Sequence, residues 1–92
     1  MTYIYVYTAD KDKFERIKKA VEVANTLPET PVFCVNDLEA IEEVRKNGYK
    51  AMNVDALQDL FNLSDGSDTF YILTPEDTTY LKAAFANVKE IN

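Results

Sequence analysis

Apolar residues recur with two different spacings along the chain, and these spacings predict alternating strands and helices. Alternation at every second position marks residues 2–8 as a strand, with aliphatic side chains on one face and tyrosines on the other. Spacings of three and four residues mark 10–27 as an amphipathic helix, with Asp10 or Asp12 as its N-cap. Prolines at 28 and 31 end this helix.

The middle of the chain repeats this order. The apolar run at 31–35 predicts a buried strand in which Cys34 is an inert core thiol. Residues 38–47 predict a second helix, which begins after Asn36-Asp37 and ends before Gly48 at the C′ position. Residues 49–54 predict a weaker strand, although a loop would also fit this segment.

The last third of the chain predicts a short helix capped by Asp55, a turn at 64–68 and a strand at 69–73. Thr74 and Pro75 then predict the start of a final helix. The apolar side chains of that helix recur at helical spacing and are expected to be buried: Leu81, Ala84, Phe85, Val88 and Ile91.

The order β-α-β-α-(β)-α-β-α predicts an α/β fold. We expect one domain over 1–92, with a mostly parallel sheet of three or four strands and helices packed against it. A chain of 92 residues has room for a single core.

Composition narrows the range of functions. With 16 acidic and 10 basic side chains, the net charge of −6 predicts repulsion from nucleic acid and from anionic membranes. The sequence has no His, one Cys and no Gly-rich phosphate loop, so no catalytic residue, metal site or cofactor site is expected. No signal peptide or membrane span is recognisable, which predicts a soluble intracellular protein. The lack of a catalytic pattern predicts that it is not an enzyme.

The charge is unevenly distributed along the chain. Residues 1–19 hold five basic and three acidic side chains, a net charge of +2, and the remainder carries −8. Residues 20–44 and 51–81 each contain six acidic side chains and no basic one.

Three acidic residues share one face of the second predicted helix. Glu39, Glu42 and Glu43 are spaced at i, i+3 and i+4, where like charges destabilise a helix by about 0.2–0.5 kcal/mol per pair. Asp55 and Asp59 repeat this spacing. The helix dipole explains acids in a first turn but not Glu42, Glu43 or Asp59. Both a merely solvated acidic surface and a functional one remain open.

Other acids follow the predicted strands and should converge on one edge of a parallel sheet. A cation site, an acidic pocket, a protein-facing patch and ordinary helix caps are all compatible with this rim. The order of Asp10, Asp12, Asp55 and Thr74 also imitates a phosphoacceptor receiver domain. Against that interpretation, the chain is expected to stop before a fifth strand and lacks the Lys that receiver domains carry there. The same acids would also suit a small ligand-binding domain or a plain protein–protein adaptor.

The opening segment 1–7, the acidic helix at 37–43 and the chain length resemble the anti-restriction nuclease proteins of T-even phages, a family of DNA mimics. The resemblance spans the whole chain but includes no catalytic motif. It implies an early phage protein that acts in the host bacterial cytoplasm. Such a protein occupies the basic groove of a McrBC-type restriction endonuclease or another host DNA-binding protein. The residues expected to form the mimicking surface are Glu22, Glu29, Glu39, Glu42, Glu43, Asp55, Asp59, Asp65 and Asp68.

Two features of the chain bear on how such a mimic would be built. The basic cluster at 11–19 departs from a uniformly acidic mimic, so it must lie off the mimicking surface or pair with acids of a neighbour. A two-fold homodimer would double the length of DNA imitated. Its interface would use the face of Tyr3, Tyr5 and Tyr7 or exposed apolar parts of the last helix, although burial of the tyrosines under a helix is the favoured interpretation.

Overall fold

The computed structural model describes residues 1–64 and 66–91 and has the expected α/β architecture. Its strands and helices alternate as the apolar spacing predicts, and the weak strand at 49–54 is confirmed. The short helix after it is a 3₁₀ helix. The elements are β1 (Thr2–Val6), α1 (Lys13–Ala24), β2 (Val32–Val35), α2 (Leu38–Lys46), β3 (Lys50–Asn53), the 3₁₀ helix (Leu57–Asn62), β4 (Thr69–Leu73), α3 (Thr79–Ala84) and β5 (Asn87–Glu90).

The five strands form one sheet in the order β3-β2-β1-β4-β5, and every neighbouring pair is parallel. The central strand is β1, in which Tyr3 aligns with Val32 on one side and with Phe70 on the other. The strand order reverses at the junction of β1 and β4, so α1 and α2 cover one face of the sheet while the 3₁₀ helix and α3 cover the other.

Alternation along β1 divides the interior into two cores. Ile4 and Val6 pack with the apolar faces of α1 and α2. Tyr3 and Tyr5, which are 7% and 5% exposed, pack with the 3₁₀ helix and α3. The favoured interpretation of the tyrosine face as covered core is therefore confirmed, and these two side chains are not available as a dimer surface. Cys34 is also buried in this second core, and burial raises the pKa of its thiol to about 12.

The prediction of a long final helix is wrong at both ends. Thr74 and Pro75 do not begin it, because Asp77 accepts hydrogen bonds from the backbone N–H and hydroxyl of Thr79 and holds a turn ahead of α3. The helix ends at Ala84, because Phe85 adopts an extended backbone. Residues beyond it form β5, which pairs with β4 and makes a fifth strand that the sequence did not predict.

The strand order also bears on the receiver interpretation. Receiver domains follow the doubly wound order 2-1-3-4-5, in which the third strand lies beside the first. Here β3 is at the edge of the sheet and β4 takes the place beside β1. Asp55, which follows β3, is therefore two strands away from β1, and the resemblance of residue order to a receiver domain does not extend to the fold.

The molecule measures 32 × 28 × 23 Å along its principal axes, with a radius of gyration of 11.9 Å. No helix in the described ranges 1–64 and 66–91 is long and apolar enough to cross a membrane.

Candidate acidic binding surface

The outer layer formed by α1 and α2 presents the clearest group of predicted acids. Small side chains let both helices lie close to the sheet, since Ala20, Ala24 and Ala40 are all buried. Val44, one turn after Ala40, anchors the second half of α2. With these residues facing inward, helical geometry turns Glu39, Glu42 and Glu43 to the flank and outer side of α2. We call these three residues the acidic ridge.

The acidic ridge is only partly neutralised within the fold. The Lys13 ammonium lies 3.2 Å from a carboxylate oxygen of Glu39, which remains 70% exposed. In the part of the chain that the structure describes, neither Glu42 nor Glu43 forms an ion pair. Arg45 and Lys46 lie in the last turn of α2, where their positive charges interact favourably with the helix dipole. Among the described residues, neither of these two forms an ion pair with Glu42 or Glu43.

A cleft of about 460 Å³ separates the outer sides of α1 and α2. It brings Glu43 and Glu22 to one site, although the two residues are far apart in sequence. The aromatic ring at the mouth belongs to Phe14, which is 42% exposed. The other side chains that line the cleft are the apolar Ile17 and Val21, the basic Lys18 and the polar Asn47. The cleft therefore combines an apolar floor with two acidic side chains and one basic side chain.

Two members of the basic cluster at 11–19 are used inside the molecule. Arg16 holds Asp10 through two hydrogen bonds of 2.6 and 3.0 Å, and its guanidinium lowers the pKa of that carboxyl. Lys13 donates to Asp37 as well as to Glu39, which lowers the pKa of Asp37 and raises that of Lys13. These pairs tie the start of α1 to the strand-end loops, so part of the cluster pairs within its own chain.

Two predicted surface residues, Glu29 and Asp68, lie at the amino-terminal ends of the strands. Asp68 accepts a hydrogen bond of 2.8 Å from the terminal ammonium of Met1, and Glu29 lies 3.8 Å from the same nitrogen. The hydrogen bond from the ammonium to Asp68 raises the pKa of the α-amino group. Both acids precede strands, so they lie at the amino-terminal ends of β2 and β4, and each is held near the chain's terminal ammonium.

Asp55 and Asp59, the other predicted residues that the structure describes, belong to neither of these groups. The Asp59 carboxylate accepts a 3.1 Å hydrogen bond from the backbone N–H of Ala56 at the start of the 3₁₀ helix, which is a capping role. Asp55 is exposed at the carboxyl end of β3. Asp65 lies outside the described residues. The eight predicted acids that the structure describes therefore do not form one continuous row, and four of them (Glu22, Glu39, Glu42 and Glu43) share the α1–α2 layer.

Two of the strand-end acids, Asp55 and Glu76, line one small crevice at the carboxyl ends of the strands. Within residues 1–64 and 66–91, no group of three or more Asp, Glu or Cys side chains is placed to hold a metal ion. The crevice has a volume of about 90 Å³. Pockets for cofactors and drug-sized ligands typically measure about 300–1,000 Å³, so this crevice is too small for a dinucleotide.

Sequence reasoning placed Glu22 of α1 on the surface but missed the aromatic residue beside it. The helical spacing in 10–27 predicts Phe14 on the buried stripe, yet its ring is partly exposed and lines the cleft. Lys18, four residues later on the same helical face, lines the cleft beside it. That spacing of an aromatic and a basic residue is the signal in the sequence that identifies the cleft side of α1.

Comparison of the chain with protein-family models, curated protein sequences and solved structures finds no match.

Proposed function

We propose that this chain is an acidic decoy, which occupies the DNA-binding groove of a host protein in place of DNA. The acidic ridge carries the proposal. Its three carboxylates are fixed on a regular helix, where their mutual repulsion opposes folding, and two of them have no ion pair with any described residue. Arg and Lys side chains in a DNA-binding groove would supply the missing counter-charges through charge-assisted hydrogen bonds.

The size of the molecule limits how much DNA one copy can replace. A duplex as long as its 32 Å axis carries about 19 phosphate charges, at roughly one per 1.7 Å. The whole chain has 16 acidic side chains, spread over all faces. One copy therefore imitates one side of less than a helical turn of DNA, which measures about 34–36 Å.

The resemblance to the anti-restriction nuclease proteins of T-even phages supports the same proposal and suggests its setting. The target is then a restriction endonuclease of the McrBC type, or another host DNA-binding protein, in the cytoplasm of the infected bacterium. Inhibition requires no catalysis, because the decoy acts by occupying the groove.

A homodimer remains a prediction that would extend the imitated length. Burial of Tyr3 and Tyr5 leaves the surface around the last helix as the candidate interface. There Phe61 and Tyr80 are each partly exposed and stack with ring centroids 6.0 Å apart. Sedimentation velocity over a range of concentrations checks this point independently of the decoy activity.

Displacement of DNA tests the proposed function directly. A fluorescent duplex bound to a purified McrBC-type nuclease should be released by the chain, as measured by anisotropy. If about four carboxylates replace phosphates, inhibition should weaken about a hundredfold between 50 and 200 mM salt. Salt-independent inhibition, or no displacement from any tested protein with a basic DNA-binding groove, would contradict the proposal.

Charge reversal identifies the surface responsible. The triple variant Glu39→Lys, Glu42→Lys, Glu43→Lys should weaken inhibition about 30-fold, from roughly 0.7 kcal/mol for each lost pair. Its melting temperature should be unchanged or slightly lower, because three lysines repel one another at this spacing as the glutamates do and the Lys13–Glu39 ion pair is lost. As a matched control, Glu42→Lys should weaken inhibition more than Glu15→Lys, which reverses one exposed charge on α1. Equal effects would show that net charge, and not the acidic ridge, determines binding.

A further inference from the structure

The small crevice at the carboxyl ends of the strands lies where the sheet changes direction. Residues that follow β1, β2, β3 and β4 all line it, on the side covered by the 3₁₀ helix. In open parallel sheets this reversal point is the usual place for a ligand. The side chains around the crevice that bear on its chemistry are Tyr5, Tyr7, Thr8, Asn36, Asp55 and Glu76.

The crevice offers several available acceptor atoms beside the hydroxyl groups of Tyr7 and Thr8. Glu76 accepts hydrogen bonds from Thr74 at 2.9 Å and from Tyr5 at 3.4 Å, and both reach the same oxygen, Oε1. Its Oε2 receives none from the described residues, and neither does the Asp55 carboxylate. The amide nitrogen of Asn36 donates to the Asp55 carbonyl at 3.0 Å, which leaves Asn36 Oδ1 as a further acceptor. A ligand that satisfies these acceptors is a donor, and a positive charge on it complements the two carboxylates.

The volume of the crevice and the aromatic ring in its wall narrow the choice of ligand. A volume of about 90 Å³ equals roughly three water molecules at about 30 Å³ each, which suits the end of a side chain and not a whole metabolite. Tyr7 supplies an aromatic ring, and the guanidinium of Arg16 already lies 5.4 Å from the centre of that ring. A planar guanidinium offers five N–H donors and stacks on aromatic rings, whereas an ammonium is a compact, strongly hydrated charge.

We propose that this crevice receives the guanidinium of one arginine side chain from the bound partner, with Asp55 and Glu76 as its acceptors and Tyr7 as its aromatic wall. The proposal rests on the proposed function for the source of the arginine. It adds a second contact region to the acidic ridge, at the edge of the sheet. Because residues that follow four neighbouring strands line the crevice, it recognises the shape of a guanidinium as well as its charge.

A minimal ligand tests the crevice without any target protein. N-acetyl-arginine amide should shift the NMR signals of Thr8, Asn36 and the two tyrosine rings at millimolar concentrations. The citrulline analogue, which has the same shape without the charge, should bind at least fivefold more weakly, because charge-assisted hydrogen bonds are about twice as strong as neutral ones. N-acetyl-lysine amide should also bind more weakly, because it lacks the planar fork of donors.

Conservative variants separate a formed pocket from general attraction to an acidic protein. Glu76→Gln and Asp55→Asn keep the side-chain size and one acceptor oxygen but remove the charge, and each should weaken arginine amide binding about fivefold. Glu15→Gln removes the same charge from α1 and should leave binding unchanged. Equal binding of the citrulline analogue, or equal loss in Glu15→Gln, would overturn the proposal.

The two proposals fail in different experiments. If the chain displaces DNA from its target but shows no arginine-dependent shifts at the crevice, the decoy function stands and the arginine pocket is overturned. If arginine amide binds at the crevice but no DNA is displaced, the pocket stands as a guanidinium site and its assignment to a decoy's partner is overturned.

Discussion

The two layers that cover the sheet are built differently. The α1–α2 layer uses regular helices, and its core is mainly small or aliphatic, with Phe33 as a buried aromatic ring beside Ala20, Ala40 and Val44. The opposite layer uses a short 3₁₀ helix and a six-residue α3, and its core contains stacked aromatic rings. Phe70 lies between Tyr3 and Phe85, with ring centroids 5.3 and 4.7 Å away.

The two layers therefore have different roles: the aromatic layer stabilises the fold, and the α1–α2 layer presents the acidic side chains. Stacked rings bury a large apolar area without requiring long helices, so they compensate for the weak regular structure of their layer. The α1–α2 layer instead holds two rigid helices against the sheet through small residues, which leaves their outer sides free to carry acids. The acidic ridge and the cleft are both in this second kind of layer.

The largest expected effect comes from breaking the aromatic layer. Phe70→Ala removes a fully buried ring and should lower the free energy of unfolding by about 3–5 kcal/mol. Val44→Ala, a control at an equally buried position of the α1–α2 layer, should cost about 2 kcal/mol. Urea denaturation followed by circular dichroism measures both. If the control costs as much as Phe70→Ala, the aromatic layer is not the main source of stability.

A smaller effect is expected where α2 ends. Gly48 has φ of +86°, the left-handed conformation that follows many helices, and its N–H bonds to the Arg45 carbonyl at 3.0 Å. Gly48→Ala meets no atom within 4 Å, so its cost of about 1–2 kcal/mol comes from backbone strain alone. Thermal unfolding measures it. Unchanged stability would show that the α1–α2 layer tolerates a different helix end.

The smallest expected effect is on the stability of the fold at low pH. It compares Asp10, which is ion-paired, with Glu42, which has no ion pair among the described residues. The pKa of Asp10 is below its ordinary value of 3.8, chiefly because Arg16 donates hydrogen bonds to it. A lowered pKa stabilises the folded state above about pH 4, and this stabilisation is lost as pH falls through the folded-state pKa. Asp10→Asn should therefore be less stable than the unmodified chain at pH 7, and the difference should disappear at low pH.

Glu42→Gln is the matched variant on the acidic ridge. Because Glu42 has no ion pair in the described part of the chain, its removal should leave stability at pH 7 unchanged or slightly higher. Melting curves from pH 2 to 7 compare the two variants. A loss at pH 7 in Glu42→Gln as large as that in Asp10→Asn would show that Glu42 has a structural partner.

The regular layer was more predictable from sequence than the aromatic one. Gly48, the apolar run of β2 and the spacing of α1 each have one local interpretation, and the fold follows them. Leu81, Phe85 and Val88 are also spaced as a helix requires, yet Val88 belongs to β5 because pairing with β4 overrides local spacing. Strand order, which depends on such long-range pairing, was not predicted.

The residues of the candidate site also divide into those that the sequence predicts and those that depend on the topology. Neighbouring acids on α2 are predicted by helical spacing alone, so Glu39, Glu42 and Glu43 fall together as expected. Glu29 and Asp68 precede different strands, and only the topology shows that both reach the amino terminus and not the ridge. The crevice depends on four strand ends at once, and no local pattern in the sequence specifies which of them are neighbours.

The central position of β1 has a consequence for folding during synthesis. This strand precedes the other four in the chain, but its two neighbours are β2, at Val32–Val35, and β4, at Thr69–Leu73. The strand, with its apolar and tyrosine side chains, therefore stays unpaired on one side until β4, about 60 residues further along, has been synthesised. Parallel pairing over such separations slows folding and prolongs exposure of strand edges, so yield in cells should respond to translation rate and chaperone supply.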